Sequence, residues 1–546
     1  MGRLVSILAL VLAGAACLPV GAQAAFGLDE FDVTFTNADG SPAAQAGSHP
    51  FAFTTSLGMN LSGEEPDGRL KELFLDLPPG LVASTTAYPR CAQEEFVDPE
   101  KSCPLETAVG SAVVSIVEPD NQETALIYNL APPEGELMRL GFRVADTENV
   151  YVDVGLSPEP PYRLIAAMGD GPETIDVFSL EIQLWGTPSA SAHDAQRGGQ
   201  VSVPLGPMLT LPTSCEGPQT TFYEALSWED DEDFGSAVTH DGAGEPMGFF
   251  GCHQLAFLPS SSAQPTTEEA QSRSGLDASF TFFDEGLANP TGIAESQVRD
   301  LILALPGGMT VDPSLASASG SCSEAGLEAE TPAGGSGEGC PESSEIGTAE
   351  AESPLVEGRA IHGVIYRATP DENFAGDAAM ALYIVLKDPD LGVVIAQPVG
   401  LEADPETDEL IAIAEEMPQL PFGRLDLHLD DGALISPALC GKYTSKAYFE
   451  TWSGEDPFVV GPSFPIGSGP NGGPCPTGDP GSQPEQTAAP SSAPGAVAAS
   501  TESSDPHPAS SKRRCSRGKH SIRRHGKTHC VKKWHGKHQK RGWHLR

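Results

Sequence analysis

The sequence predicts an all-β protein: two tandem antiparallel β-sandwich units of immunoglobulin-like character, then a disordered linker and a small basic, disulfide-closed tail. Three observations carry this reading. Segments such as "FDVTFTN" and "LEIQLWG" alternate apolar and polar residues with period two, as half-buried strands do. Glycine (59) and proline (49) are frequent, which favours many turns and short strands over long helices. The third observation is that the chain repeats itself.

The elements follow in chain order. Residues 1–24 read as a signal peptide: Arg3 is the charged start, Leu4 to Ala16 the apolar stretch, and Ala22-Gln23-Ala24 the cleavage site before Ala25. The apolar run is too short for a membrane span, and no other segment reaches that length. Cys17 raises a lipoprotein alternative, although Gly14 stands three residues before it, where a large aliphatic side chain belongs.

Two units follow, residues 25–253 and 254–475, and matching blocks recur in the same order. "RLKELFLDLPPGL" (69–81) aligns with "QVRDLILALPGGM" (297–309), "CPLETAVGSA" with "CPESSEIGTA", and "ALIYNLAPP" (125–133) with "GVIYRATPD" (363–371). "LEIQL" (180–184) aligns with "LDLHL" (425–429), and "LPTSCEGPQTTFYEALSWED" with "SPALCGKYTSKAYFETWSGED". This is a tandem duplication. Each unit is about twice the length of an ordinary sandwich of about 100 residues, so it is either one large sandwich or two small ones sharing a face. Turn signals such as "NADGS", "LPPG" and "LPGG" separate the strands. "DELIAIAEEM" (408–417) is the best helix candidate, with a strand as its alternative.

Eleven cysteines suit an exported, oxidising life. Setting Cys17 aside leaves an even set, four per unit and two in the tail. Four cysteines allow three connectivities. The recurrence of each set in the same place favours local pairs: Cys91–Cys103, Cys215–Cys252, Cys322–Cys340 and Cys440–Cys475, with Cys515–Cys530 in the tail.

In residues 476–511, 28 of 36 are Pro, Gly, Ser, Ala or Thr, and the segment cannot bury enough apolar surface to offset the entropy of ordering. They read as a disordered linker. The tail, 512–546, inverts the charge of the chain. The whole sequence carries −45; subtracting the tail's fourteen Lys and Arg leaves −59 on residues 1–511. An acidic body of that kind is soluble and is repelled by nucleic acid and anionic membranes. A cationic segment without acids calls for an anionic partner, since each cation near a phosphate or carboxylate releases a counterion. The candidate contacts are Lys512, Arg513, Arg514, Arg517, Lys519, Arg523, Arg524, Lys527, Lys532, Lys533, Lys537, Lys540, Arg541 and Arg546, with Trp534 and Trp543 interleaved. His525-Gly526 resembles a hairpin turn, but it would set Cys530 opposite Ser521 and not Cys515, so only a disulfide-closed basic loop is expected.

No catalytic motif stands out: there is no G-x-S-x-G elbow, H-E-x-x-H pair or phosphate-binding loop, and "GSGEGC" (335–340) lies between two cysteines and not between a strand and a helix. His193-Asp194 is the one nominee for acid–base work, although neighbours in sequence usually point apart. Trp228 and Trp452 recur at equivalent places and read as core, whereas Trp185, present only in the first unit, is the better nominee for an exposed sugar-stacking platform. "EDDED" (229–233), "DPETDE" (404–409) and "LDDG" (429–432) lack the spacing of a calcium loop. They read as solvated turns, with weak Ca²⁺ binding as the one metal alternative and no other cofactor.

"DLPPGLV" and its echo, "LWGTPSASAHDAQRG", "LPTSC" and "GPNGGPCP" resemble a family of exported actinobacterial proteins built of tandem β-sandwich units, often with a basic Cys-containing tail. That resemblance implies the fold and an extracytoplasmic location but no activity. "LPPGL" after an alternating strand also resembles bacterial immunoglobulin-like surface repeats. The expectation is therefore a secreted, envelope-associated, non-enzymatic protein whose tail meets anionic wall polymer or lipid headgroups. Nucleic acid is not expected as its partner. A glycan-binding lectin is the alternative, and a hydrolase using His193 and Asp194 the third reading.

Overall fold

The computed structural model describes residues 26–476, except 85, 99, 146–147, 203–205, 318–319, 336, 357, 370–373, 375–379 and 405–406, together with the backbone of 519–524 and 527–532. The signal segment, Cys17 and the linker from 477 onward lie outside the described residues.

In the first sheet the strands are β1 (Leu28–Thr36), β2 (Ala52–Met59), β3 (Leu70–Asp76), β4 (Ala108–Ile116), β5 (Gln122–Leu130), β6 (Met138–Val144), β7 (Glu148–Leu156), β8 (Leu164–Gly169), β9 (Val177–Trp185), β10 (Thr220–Ser227) and β11 (Glu232–Val238). The second sheet has β12 (Pro259–Pro265), β13 (Arg273–Phe282), β14 (Val298–Leu305), β15 (Glu345–Glu352), β16 (Ala360–Ala368), β17 (Met380–Asp388), β18 (Val393–Ala403), β19 (Leu410–Ala414), β20 (Arg424–Ile435), β21 (Lys446–Thr451) and β22 (Phe458–Val460).

Side by side, the first sheet runs β1-β2-β9-β4-β5-β6-β7-β8-β3-β10-β11. The second runs β12-β13-β20-β15-β16-β17-β18-β19-β14-β21-β22, the same order strand for strand, with a short extra strand Thr310–Val311 on β20. The duplication seen in the sequence is thus a duplication of topology, antiparallel throughout.

Each sheet curls until its ends meet, β1 against β11 and β12 against β22. In the first unit the closure is polar as well as apolar. Asp233 Oδ2 accepts hydrogen bonds from the Leu28 amide (2.8 Å) and the Tyr223 hydroxyl (2.8 Å), and the Phe31 and Tyr223 rings lie 4.6 Å apart. One continuous curled sheet encloses one apolar core per unit, around Phe53, Leu75, Phe142 and Leu180 in the first and Phe280, Leu303, Ile384 and Phe449 in the second. Of the two arrangements left open by the sequence, each unit adopts the single large one.

The local signals act as read. "LPPG" and "LPGG" close with Leu81 N–H to Pro78 O and Met309 N–H to Pro306 O, both 3.2 Å. Gly80 (φ +80°) and Gly308 (φ +88°) supply the left-handed residue that such a turn needs. The helix candidate at 408–417 is corrected: Leu410–Ala414 is strand β19, hydrogen-bonded between β14 and β18. Five apolar residues with two β-branched isoleucines fit a strand buried on both faces, where the alternating signal disappears.

The two units meet along a mixed seam. Val82 of the first packs with Leu287, Ala294, Leu355 and Leu420 of the second. The Tyr162 hydroxyl donates to Ala396 O (2.7 Å) and accepts from Ala396 N–H (2.9 Å), satisfying β18 where the short β19 does not reach it. Burial raises the Tyr162 pKa well above its ordinary value, so this hydroxyl stays protonated.

Candidate functional site

The nominated acid–base pair lies in a short helical turn after β9, at Ser191–His193 and Asp194–Arg197. His193 has no solvent exposure. Its ring is sandwiched between Phe51 (centroids 4.0 Å apart, planes 15°) and Trp185 (4.6 Å, 20°), while Nδ1 pairs with Gln196 Oε1 at 2.9 Å. Burial lowers its pKa to about 4; the Gln196 hydrogen bond opposes that shift and the nearby Arg197 charge adds to it. Asp194 pairs with Arg197 (3.1 Å). The Arg197 guanidinium sits 5.1 Å from the Trp185 ring and donates to Pro188 O. A neutral, stacked, water-excluded imidazole has no access to substrate. His193, Asp194, Trp185 and Arg197 are a structural knot that locks the turn onto the end of β9.

Trp185 is therefore corrected from exposed platform to fully buried core. It ends β9 on the outward face, the face of Glu181 and Gln183, and is buried because the turn that follows folds back over it, with Gln196 bonded to Gln183 (2.8 Å), a contact that no reading of the strand alone could supply. Trp228 and Trp452 are half-buried pegs in equivalent places. Trp228 Nε1 donates to Gly171 O and Trp452 Nε1 to Met417 O, each at 3.1 Å, so each indole covers a strand end in its own unit.

Of the acidic stretches "EDDED" forms a turn, whereas "LDDG" (429–432), expected as a turn, lies within strand β20. In "EDDED" the Ser227 hydroxyl holds the Asp231 amide (3.0 Å), Asp230 takes a left-handed conformation (φ +66°), and Asp233 is spent on sheet closure. Glu409 pairs with Lys446 (3.1 Å), and Asp431 accepts from Thr266 (2.6 Å) beside a bulge between β13 and β20. Among the described residues no three His, Cys, Asp or Glu side chains are arranged to hold a metal ion. The "GSGEGC" stretch lies in the Cys322–Cys340 loop, where Glu330 accepts from Cys340 N–H (2.7 Å) and pairs with Lys387.

The body's cysteines join as Cys91–Cys103, Cys215–Cys252, Cys322–Cys340 and Cys440–Cys475. The first and third of these loops occupy equivalent places: Cys91 N–H donates to Asn129 O and Cys322 N–H to Arg367 O, both 2.8 Å. In the first unit Phe96 of the disulfide loop presses on Gly141, where a Cβ would come within 2.8 Å of its ring. Absence of a side chain on β6 is what admits the loop.

In the tail the backbone forms a hairpin, β23 (Lys519–Arg524) and β24 (Lys527–Lys532), with Ser521 opposite Cys530. This differs from the ladder-free loop expected above. The register follows the turn position, not the cysteines. Cys515, the Cys515–Cys530 bond, the tail residues outside these strands and the tail side chains lie outside the described residues.

One surface feature had no signal as a motif. On the outer face of β12, β13, β20, β15 and β16 is a polar groove, bordered by Gln264, Asp277, Glu350, His362, Arg424 and His428. His428 Nδ1 meets Asp277 (2.7 Å), His362 Nδ1 meets Glu350 (3.1 Å), and Arg424 meets Asp426 (2.7 Å). These residues are outward positions of two hairpins, β12–β13 and β15–β16, brought to either side of the sequence-distant strand β20.

No known protein family and no curated protein matches the chain. Solved structures similar to it include the C-terminal domain of the Streptococcus agalactiae AgI/II polypeptide BspA, at 7% identity, covering 80% of this chain and 100% of that one with a TM-score of 0.17. A Corynebacterium diphtheriae protein described as membrane anchored is 10% identical, with 80% and 91% covered and a TM-score of 0.16. Likeness at that level carries no inference about function. Among the described residues no helix is long and apolar enough to cross a membrane.

Proposed function

We propose that this chain is a secreted, non-enzymatic envelope protein whose acidic double-sheet body is displayed on a flexible linker and held by its cationic tail on anionic wall polymer or lipid headgroups. The charge partition carries the reading: fourteen cations and no acid in 512–546, against −59 on the rest. Four disulfides in the body support an oxidising, extracytoplasmic setting. The burial of His193 weighs against the hydrolase reading, whose nominees are His193 and Asp194.

The linker reaches about 30 Å as a coil, several times the Debye length of about 8 Å at physiological salt, so the tail can engage a surface that repels the body. The test compares the full protein with a version lacking 512–546 on isolated envelopes and anionic vesicles over a salt series. The full protein binds and is released as salt rises, because counterion release sets the affinity. The truncated protein moves to the medium. Binding that is indifferent to salt, or an unchanged partition after truncation, would mean that the tail is not the anchor.

A lectin function remains the second reading, moved from Trp185 to the polar groove beside His362 and His428. Glycan-array binding lost in a Glu350→Ala, Asp277→Ala variant supports it, and binding retained in that variant removes it.

A further inference from the structure

The curled second sheet encloses a cavity of about 220 Å³. It lies on the inner face of that unit, and Val82, Leu137 and Leu164 of the first unit contribute to its wall. Only two lining side chains are polar, and both are committed elsewhere: Ser353 donates to Pro421 O (2.8 Å) and the Gln397 amide to Pro398 O and Glu415 O (3.0 Å each). The space therefore offers a ligand almost only hydrocarbon contact.

The repeat shows how this space arises. Tyr128 lies opposite Gly141, and its counterpart Tyr366 opposite Tyr383, so Phe142 of the first unit corresponds to Ile384 of the second. Met168 faces Leu73, and Ala414 faces that residue's counterpart, Leu301. The first unit thus fills its interior with Phe142 and Met168, both well buried, while the second carries the smaller Ile384 and Ala414, both lining the cavity. Unfilled core volume destabilises in proportion to its size, and the same topology shows that it can be filled. An apolar cavity of about 150 Å³ already excludes water and takes up benzene. A larger one of the same character suits a stretch of a single hydrocarbon chain, and two chains would not fit.

We propose that the cavity between the two units binds one linear hydrocarbon chain, as a fatty acid from solution or as one acyl chain of a lipid. This does not depend on the tail reading. The test titrates the purified full chain with the fluorescent fatty acid cis-parinarate, displaces it with palmitate, and separately incubates the protein with phosphatidylglycerol vesicles before extracting bound lipid. Saturable binding of one parinarate per chain, displaced by palmitate, is expected. Loading from vesicles alone assigns the lipid acyl chain as the source, and loading from neither overturns the proposal.

The decisive variant restores the first unit's packing, Ala414→Met with Ile384→Phe. It should lose at least about tenfold in affinity while keeping or raising the melting temperature. Should that double variant fail to fold, the single Ala412→Leu, another lining position, serves the same purpose. Undiminished binding in a folded, cavity-filled variant places the chain elsewhere and refutes the proposal.

Discussion

Lowering the pH should weaken the first unit through His193, and the size of the effect follows from its surroundings. The imidazole is fully buried between Phe51 and Trp185, and burial lowers its pKa from 6.5 to about 4. The unfolded chain therefore takes up a proton near pH 6.5 that the folded chain refuses until about pH 4. The stabilising contribution is fully present above pH 6.5 and is lost as pH falls through that window. At 1.36 kcal/mol per pKa unit it amounts to about 3 kcal/mol, enough to matter in a domain of ordinary marginal stability. Carboxylates titrate in the same range, so the assay compares wild type with His193→Phe, which keeps an aromatic ring in the stack and cannot be protonated. Gln196, which loses its partner, is exposed and can turn to water. Urea unfolding at pH 7.5 and pH 4 should show the wild type losing about 3 kcal/mol more than the variant. Equal losses in the two proteins would refute the claim that a neutral histidine is locked in this knot.

Tyr162→Phe strands the Ala396 N–H and C=O, a cost of about 1–3 kcal/mol for a buried group left unpaired, and calorimetry should show the two units unfolding less cooperatively. Replacing Cys215 and Cys252 by serine opens a bridge spanning 37 residues and should cost about 4 kcal/mol on the loop-entropy account, measured by denaturant unfolding. Non-reducing peptide mapping should find all four body disulfides within their own units, and one bond between units would contradict the structure.

Much of the architecture was legible because it is local and repeated. Period-two alternation in β1, β2 and β9 marks strands whose two faces see different solvents; burial follows it in β2 and in the second half of β1, and β9 departs from it where Trp185 is covered from outside. "LPPG" and "LPGG" announce their turns because only glycine enters the left-handed region without cost. The helix candidate at 408–417 misled because a strand buried on both faces has no alternation to read.

From sequence alone came the duplication, the all-β class, the local cysteine pairs and the charge inversion at residue 512, since each is a property of residues near one another or of a simple sum. What tertiary structure decided is everything that depends on which face meets which. Trp185 and His193 looked available until a turn folded over them, because burial is set by what arrives from elsewhere in the chain. The polar groove assembles outward residues of two hairpins that meet only because the sequence-distant strand β20 lies between them. The cavity exists because two aligned positions, Phe142 and Met168 in one unit, are Ile384 and Ala414 in the other, a volume difference that becomes empty space only when the sheet curls shut around it.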